Sequence, residues 1–338
     1  MRLFLYEWVT GGGMLGAEGR PPESLLREGL AMVSAAADDA RAAGHTPVVL
    51  RDLRAPMLWA AGGEYSEVAS RAEHDEAFDT LAAGCDATLL VAPETDGVLL
   101  RAARRAERRG ARLISPASGF VDVASDKHRT GQALAAAGVP TPRAVVLEPG
   151  AMLPNDFPYP AVVKPLDGAG SQDTYVVKAP HDRPPAYAWP LRLEAYAVGV
   201  PASVAVLGVA GGGAAVALPA CRQRLSIDGR LSYLGGSTPL PQGLARRAER
   251  LALDAVSAAG PLVGWAGVDL VLGDDPDGAL DQVIEINPRL TTSFVGLRRV
   301  VRGGLIDAMI AAAAGRAPEI EVDPRPIAFD ADGAVYWD

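Results

Sequence analysis

The chain has 338 residues, with 32 basic against 41 acidic side chains and a formal charge of -9, so a basic nucleic-acid-binding surface is not expected. With 49% hydrophobic and 22% charged residues the composition is that of a folded protein with a large core rather than a disordered one, and the length suits two or three domains of roughly 100 to 200 residues each. The two cysteines, Cys85 and Cys221, stand far apart with no histidine cluster beside either, so neither a disulfide framework nor a zinc site is expected and the cytoplasm is the expected compartment.

The opening MRLFLYEW lacks the long apolar stretch and small-residue cleavage site of a signal peptide and reads as a first strand. An amphipathic helix is predicted over residues 23–43, stopped by Gly44 and followed by the strand TPVVLRD. A helix over 73–83 leads to DATLLVAP, and one over 97–109, stopped by Gly110, leads to ARLISP. Strands joined by helical connections of this length predict right-handed βαβ units and a parallel sheet. The expected fold class is therefore α/β, a doubly wound parallel-sheet domain over 1–117, joined to an α+β region.

Near Ser118 the pattern changes. A helix over 126–137 precedes the turn-rich GVPTP; AVVKP and TYVVK flank the loop DGAGSQD; a helix over 244–259 follows; GWAGVDLVLG and DQVIEINP flank the acidic turn DDPDG. These features predict antiparallel strands with helices beside them. The stretch 195–221 has no charged residue and is long enough to cross about 30 Å of hydrocarbon as a helix. Its internal Gly211, Gly212 and Gly213, with Pro201 and Pro219 beside two β-leaning runs, predict a buried hairpin instead. The last twenty residues, 319–338, are expected to form an arm. The histidines His45, His74, His128 and His181 stand isolated among polar neighbours and are expected at the surface or in turns.

Only three of the 32 basic residues are lysines, and Lys127, Lys164 and Lys178 fall within one short stretch. Lysine is a compact point charge on a flexible stem, suited to phosphate oxygens where a planar fork does not fit. Lys164 ends an apolar strand beside DGAGSQD, whose small residues let backbone N–H groups approach an anion. The G-x-x-x-x-G-K-[ST] string is absent, so this is not a P-loop. Lys127 lies in SDKHRT, where Ser125 or Asp126 is placed to cap a helix. Lys178 is read as a residue of a solvated face.

Alternation along VIEINP puts Glu285 and Asn287 on one face of a strand, and in GVDLVLG it turns Asp269 outward. Folding about DDPDG brings Asp269 opposite Glu285 to within about one residue. Two carboxylates and an amide oxygen on one face make a hard site suited to magnesium, with manganese as a substitute. Arg289, just beyond, is placed to neutralise charge on a transferring phosphoryl group.

In chain order SDKHRT, GVPTP, VVKP, the glycine loop, LEAYAVG, GVDLVL and IEINPR resemble the ATP-grasp superfamily from about residue 118 to about 300. The resemblance implies an ATP-grasp fold of two α+β subdomains, over 118–192 and 193–318, with a nucleotide between them. It implies ATP phosphates on Lys127 and Lys164, a closing loop that includes Gly168, Gly170 and Ser171, adenine along Glu194, Ala195, Tyr196 and Ala197, and magnesium on Asp269, Glu285 and Asn287. Lys164 and Arg289 are then the candidate catalytic residues. Many members carry an acid just after the glycine of the adenine linker; here Val200 follows Gly199, so the ribose contact stays unassigned.

Within the superfamily, YEWVTGGG, YLGGSTP and EINPRLTTSFVGL are similar to the tyramine-glutamate ligases of methanofuran biosynthesis. This implies an ATP-dependent carboxylate-amine ligase, working through an acyl phosphate, that joins the γ-carboxylate of glutamate to tyramine or tyrosine. The implied substrate site is Glu7, Gly11, Gly12, Gly13, Gly235, Gly236, Thr291, Thr292 and Ser293, with Glu7 receiving an ammonium group and Tyr6, Trp8 and Phe294 walling an aromatic ring. The expected partners are small-molecule amino acid and amine substrates, with no nucleic acid, no membrane and a homodimer as the assembly. A phosphotransferase that stops after phosphorylation, and a catalytically silent ATP-binding module, remain the alternatives.

Overall fold

The computed structural model describes residues 1–16, 21–56, 63–168 and 173–337. Strand β1 (Arg2–Glu7) is buried from Leu3 onward, which requires neighbours on both edges and cover on both faces. It pairs in parallel with β2 (Thr46–Asp52) and, across a later crossover, with the strand Ala87–Val91. Helix α1 (Glu23–Ala42) connects β1 to β2 and ends just before Gly44, whose φ of 79° suits the left-handed turn. The polar EYSEV forms β3 (Glu64–Val68), a parallel edge strand that alternation did not predict because only Val68 is buried. After α2 (Arg71–Gly84), capped by Ser70, comes β4 (Ala87–Val91), giving the order β3-β2-β1-β4. The expected strand in ARLISP, beyond α3 (Val98–Arg108), shrinks to one parallel bridge between Thr88 and Leu113.

Helices α4 (Ser118–Ala124) and α5 (Lys127–Ala136) follow, and Asp126 caps α5 by accepting the N–H groups of His128 and Arg129. A small antiparallel sheet comes next, of β5 (Ala144–Leu147), β6 (Ala161–Pro165), β7 (Tyr175–Val177) and β8 (Leu191–Ala195), in the order β5-β8-β6-β7.

The uncharged run is mostly strand. Strand β9 (Val200–Val209) turns through residues 210–212 into β10 (Gly213–Ala217), with Gly211 and Gly212 at positive φ. Among the described residues no helix is long and apolar enough to cross a membrane. Strands β11 (Cys221–Leu225) and β12 (Tyr233–Thr238), helix α6 (Gln242–Ala259), and strands β13 (Gly264–Leu272) and β14 (Gln282–Asn287) complete the middle of the large sheet.

The remaining chain runs through α7 (Ser293–Val300), β15 (Val301–Arg302), α8 (Leu305–Ala313), β16 (Glu321–Val322), β17 (Ile327–Asp330) and β18 (Val335–Trp337). The expected arm over 319–338 is corrected here: β17 pairs antiparallel with β12, and Ile327 and Phe329 are fully buried. The apolar alternation of IAF supplies the inward pair. Gly296 makes room for the ring, since a Cβ there would lie 2.3 Å from Phe329.

One core runs through both ends of the chain, joining Leu3, Leu5, Met32 and Val33 to Trp265, Phe294, Leu305 and Phe329. Helix α1 packs on α7 and α8 as well as on β1 and β2. The parallel-sheet domain is thus fastened to the large sheet by apolar burial. Phe329→Ala should cost about 3–5 kcal/mol in urea unfolding, as for other buried phenylalanines, whereas a residue of a loose arm would change stability by less than about 0.5 kcal/mol.

Candidate active site

The two sheets and α1 enclose a cleft lined by Lys127, Lys164, Asp269, Glu285, Asn287 and Arg289 among others. At its floor Asp269 stands directly opposite Glu285, and Gly267 opposite Asn287, in the β13–β14 pair, the register that alternation and the acidic turn predict. Asp269 accepts hydrogen bonds from Gln223 Nε2 at 2.8 Å and from Asn287 Nδ2 at 3.1 Å. The Asn287 bond uses its amide nitrogen, which leaves Oδ1 as the free acceptor. Burial and the facing charge of Glu285 push the Asp269 carboxyl up to about 7. Burial acts on Glu285 in the same direction, but Lys127, 3.5 Å away, and Lys164 outweigh it and hold Glu285 below the ordinary range. A like-charge pair with spare oxygens could hold a hard divalent cation.

Lys164 sits on β6 in register with Arg192 of β8. Its Nζ pairs with Glu194 Oε1 at 2.6 Å while Arg192 Nε holds Glu194 Oε2 at 2.8 Å, and all three side chains are almost fully buried. Gly131 of α5 permits this approach, because a Cβ there would meet Arg192 Nη2 at 2.8 Å. Glu194, expected along the adenine, therefore spends its carboxylate on these two cations, while Ala195, Tyr196 and Ala197 continue the cleft wall.

Lys127 Nζ donates to Gly168 O at 2.8 Å and its backbone N–H to Leu166 O at 2.7 Å, so both ends of this residue grip the root of the glycine loop. Asp167 accepts the backbone N–H of Asp96 at 2.7 Å, tying the same root to the first domain. Gly170 and Ser171 lie outside the described residues. Lys178, just past β7, is exposed.

Arg289 is buried, with Nε donating to Glu94 Oε1 at 2.9 Å and Nη1 to Leu290 O at 3.2 Å. Sequence reasoning missed Glu28 and Gln223, which line the cleft, and Glu94, which holds Arg289. A signal existed for Gln223, the half-buried middle of Arg-Gln-Arg between two exposed arginines on β11. None existed for Glu94, 195 residues away from its partner. Thr291, Thr292 and Ser293 line the cleft as expected. The hydroxyls of Thr291 and Ser293 bond to each other, Trp265 Nε1 donates to Thr291, and Thr292 donates to Glu28 Oε1 at 3.3 Å.

Other expectations are corrected. Glu7 is 3% exposed; its carboxylate accepts the N–H groups of Val9 at 3.1 Å and Thr10 at 2.7 Å, and a Cβ on Gly29 would lie 2.6 Å from it. Burial outweighs those bonds and raises its pKa. It closes a turn and is not open to an ammonium group. Gly11, Gly12 and Gly13 form that turn, where a Cβ on Gly13 would strike the Trp8 ring at 2.0 Å. Gly235 and Gly236 admit β17, since a Cβ on Gly235 would lie 2.2 Å from Phe329 O. Tyr6 packs on Phe78, and Phe294 on Trp265, both in the core. His74, expected at the surface, is buried; its Nε2 lies 3.0 Å from Tyr6 Oη, and burial lowers its pKa.

A family model described as an ATP-grasp domain matches residues 124–293, half of the chain, and a pre-ATP-grasp domain matches residues 45–119. The chain belongs to the ATP-grasp family. A curated relative, the tyramine–L-glutamate ligase of Methanocaldococcus fervens, is 25% identical over 213 residues, 63% of this chain and 62% of the relative. The match therefore spans less than two thirds of that relative's length. The fold is similar to that of an ATP-grasp superfamily protein from Archaeoglobus fulgidus, with a TM-score of 0.72, 22% identity, and 98% of this chain and 92% of that one covered. It is also similar to an L-amino acid ligase from Bacillus licheniformis, with a TM-score of 0.69, 16% identity, and 97% and 78% covered. The mixed architecture, a parallel sheet followed by antiparallel ones, agrees with the expected fold class.

The Asp269 carboxyl has a folded pKa of about 7 against 3.8 ordinarily. Between those values the folded state holds the extra proton, so this group makes the metal-free protein less stable as pH rises, with the full penalty present above 7. Asp269→Asn should raise the thermal midpoint in EDTA at pH 8 by about 2 °C or more, and by less at pH 5. An equal gain at both pH values would contradict the strained carboxylate pair.

Proposed function

We propose that the chain is an ADP-forming carboxylate–amine ligase that phosphorylates a substrate carboxylate with ATP and lets an amine displace the phosphate to form an amide. The observation that carries this reading is the convergence of Lys127, Lys164 and Arg289 on the Asp269–Glu285 pair in one cleft of an ATP-grasp chain. Supporting it, one relative and one structural neighbour are named as ligases of amino acids.

The reaction needs alignment and charge neutralisation more than a strong base. Lys164, held on Glu194, and Lys127, held at the loop root, are assigned to phosphate oxygens, and the 193–318 unit supplies Arg289 for the transferring group. Asp269, Glu285 and the Asn287 oxygen would hold magnesium, whose role is to screen phosphate charge. The loop between β6 and β7 is assigned to keep water from the acyl phosphate. In this reading residues 1–117 form the pre-ATP-grasp unit, 118–192 the small subdomain and 193–318 the large one, which β17 extends. The proposed substrates are L-glutamate, through its γ-carboxylate, and tyramine or tyrosine, in methanofuran-type cofactor synthesis in the cytoplasm.

An ADP-release screen of amino acids against amines, with mass spectrometry of the products, tests the reading. A γ-glutamyl amide of tyramine or tyrosine is expected; another coupled pair removes the substrate assignment alone, and a stable phosphorylated product makes the protein a kinase. In the same assay Lys164→Arg should lower kcat/KM at least about tenfold, roughly 1.4 kcal/mol. The larger planar fork neither fits the buried pocket beside Arg192 nor reproduces a point charge.

A further inference from the structure

We infer that Glu28 of α1 is the residue that recognises the ammonium group of a substrate, a role that deepens the ligase reading and rests on it. Glu28 lines the same cleft as the lysines and the carboxylate pair, in the second turn of α1. The other acids around the cleft are already committed. Glu194 pairs with Lys164 and Arg192, Glu285 faces Lys127, Asp269 accepts from Gln223 and Asn287, Glu94 holds Arg289, and Asp167 takes a backbone N–H. Among the described residues no cation pairs with Glu28, whose carboxylate accepts only the Thr292 hydroxyl, at 3.3 Å. A half-buried carboxylate that faces a ligand cleft without a cation is completed by a cation from the ligand.

Its surroundings say which end of a substrate it meets. Glu28 and Arg289 line the same cleft, and Glu94, Glu28 and Glu285 all favour the charged form of the arginine against its burial. Tyr233 lines the cleft and also feels the charge of Glu28. A substrate in this cleft that meets Arg289 with an anionic group can therefore meet Glu28 with its ammonium group, and Tyr233 adds an aromatic ring suited to a cation or another ring. Glu7, which the sequence motif suggests for this task, is sealed within its turn, and α1 carries the acid that is open.

The test uses the full chain loaded with magnesium and a non-hydrolysable ATP analogue, titrated calorimetrically with tyramine and L-glutamate and with counterparts neutral at the amine position, 4-(2-hydroxyethyl)phenol and N-acetyl-L-glutamate. Glu28→Gln should weaken one of the two ammonium probes at least about tenfold, leave its neutral counterpart and the ATP analogue unchanged, and raise the KM of that substrate without raising that of ATP. Glu28→Asp should recover part of the loss, and an unchanged thermal midpoint in both variants certifies the fold. If neither ammonium probe binds the wild type, or if the loss is the same for probe and neutral counterpart, the assignment is overturned. Charge-dependent binding at Glu28 with no ADP release from any pair would sink the ligase reading and leave Glu28 standing. Coupling that is indifferent to Glu28→Gln would do the reverse.

Discussion

Two carboxylates facing each other across an antiparallel strand pair repel, and the organisation of the cleft follows from that opposition. The register puts Asp269 against Glu285 with Gln223 and Asn287 bonding the first, and the lysines offset the burial of the second. Each cation brought in for this purpose needs its own counter-charge, because an unpaired buried charge is expensive. Lys164 is held by Glu194, which also holds Arg192, and Arg289 is held by Glu94. The site is an alternation of signs spread over the small sheet, the large sheet and the parallel-sheet domain.

The first domain is consequently part of the site and not an appendage. It supplies Glu94 to orient Arg289, the Asp96 N–H to hold Asp167, and Glu28 on the cleft wall. What makes such contacts dependable is the shared apolar core, in which α1 lies between the parallel sheet and the helices α7 and α8. Burial on both faces removes the freedom that a hinge there would need. On the side of the small sheet, Lys127 holds Gly168 and Asp167 takes the N–H of Asp96.

Glycines beside an acid look alike in a sequence whether they meet a ligand or close a turn. In YEWVTGGG the structural use wins: the carboxylate of Glu7 satisfies two backbone N–H groups and the glycines let the chain fold over Trp8. The same holds for Gly235 and Gly236, which exist in the fold to let β17 approach. By contrast, the hydroxyl run Thr291 to Ser293 does reach the cleft, because it follows the end of β14, where the strand delivers its residues to the site.

Local pattern carried a great deal here. Alternation in β13 and β14 with the acidic turn between them determined the facing carboxylates, helix and strand periods determined the parallel-sheet domain, and the glycine triplet determined the β9–β10 hairpin. Those are short-range properties, set by side-chain direction along one element or by the turn joining two. The Glu94–Arg289 pair, the burial of His74 beneath Tyr6, the entry of β17 into the large sheet and the exposure of Glu28 in place of Glu7 were decided only by tertiary structure. Each joins residues far apart in the chain, and whether a polar group faces a cleft or a core depends on what packs against it, which no local period encodes.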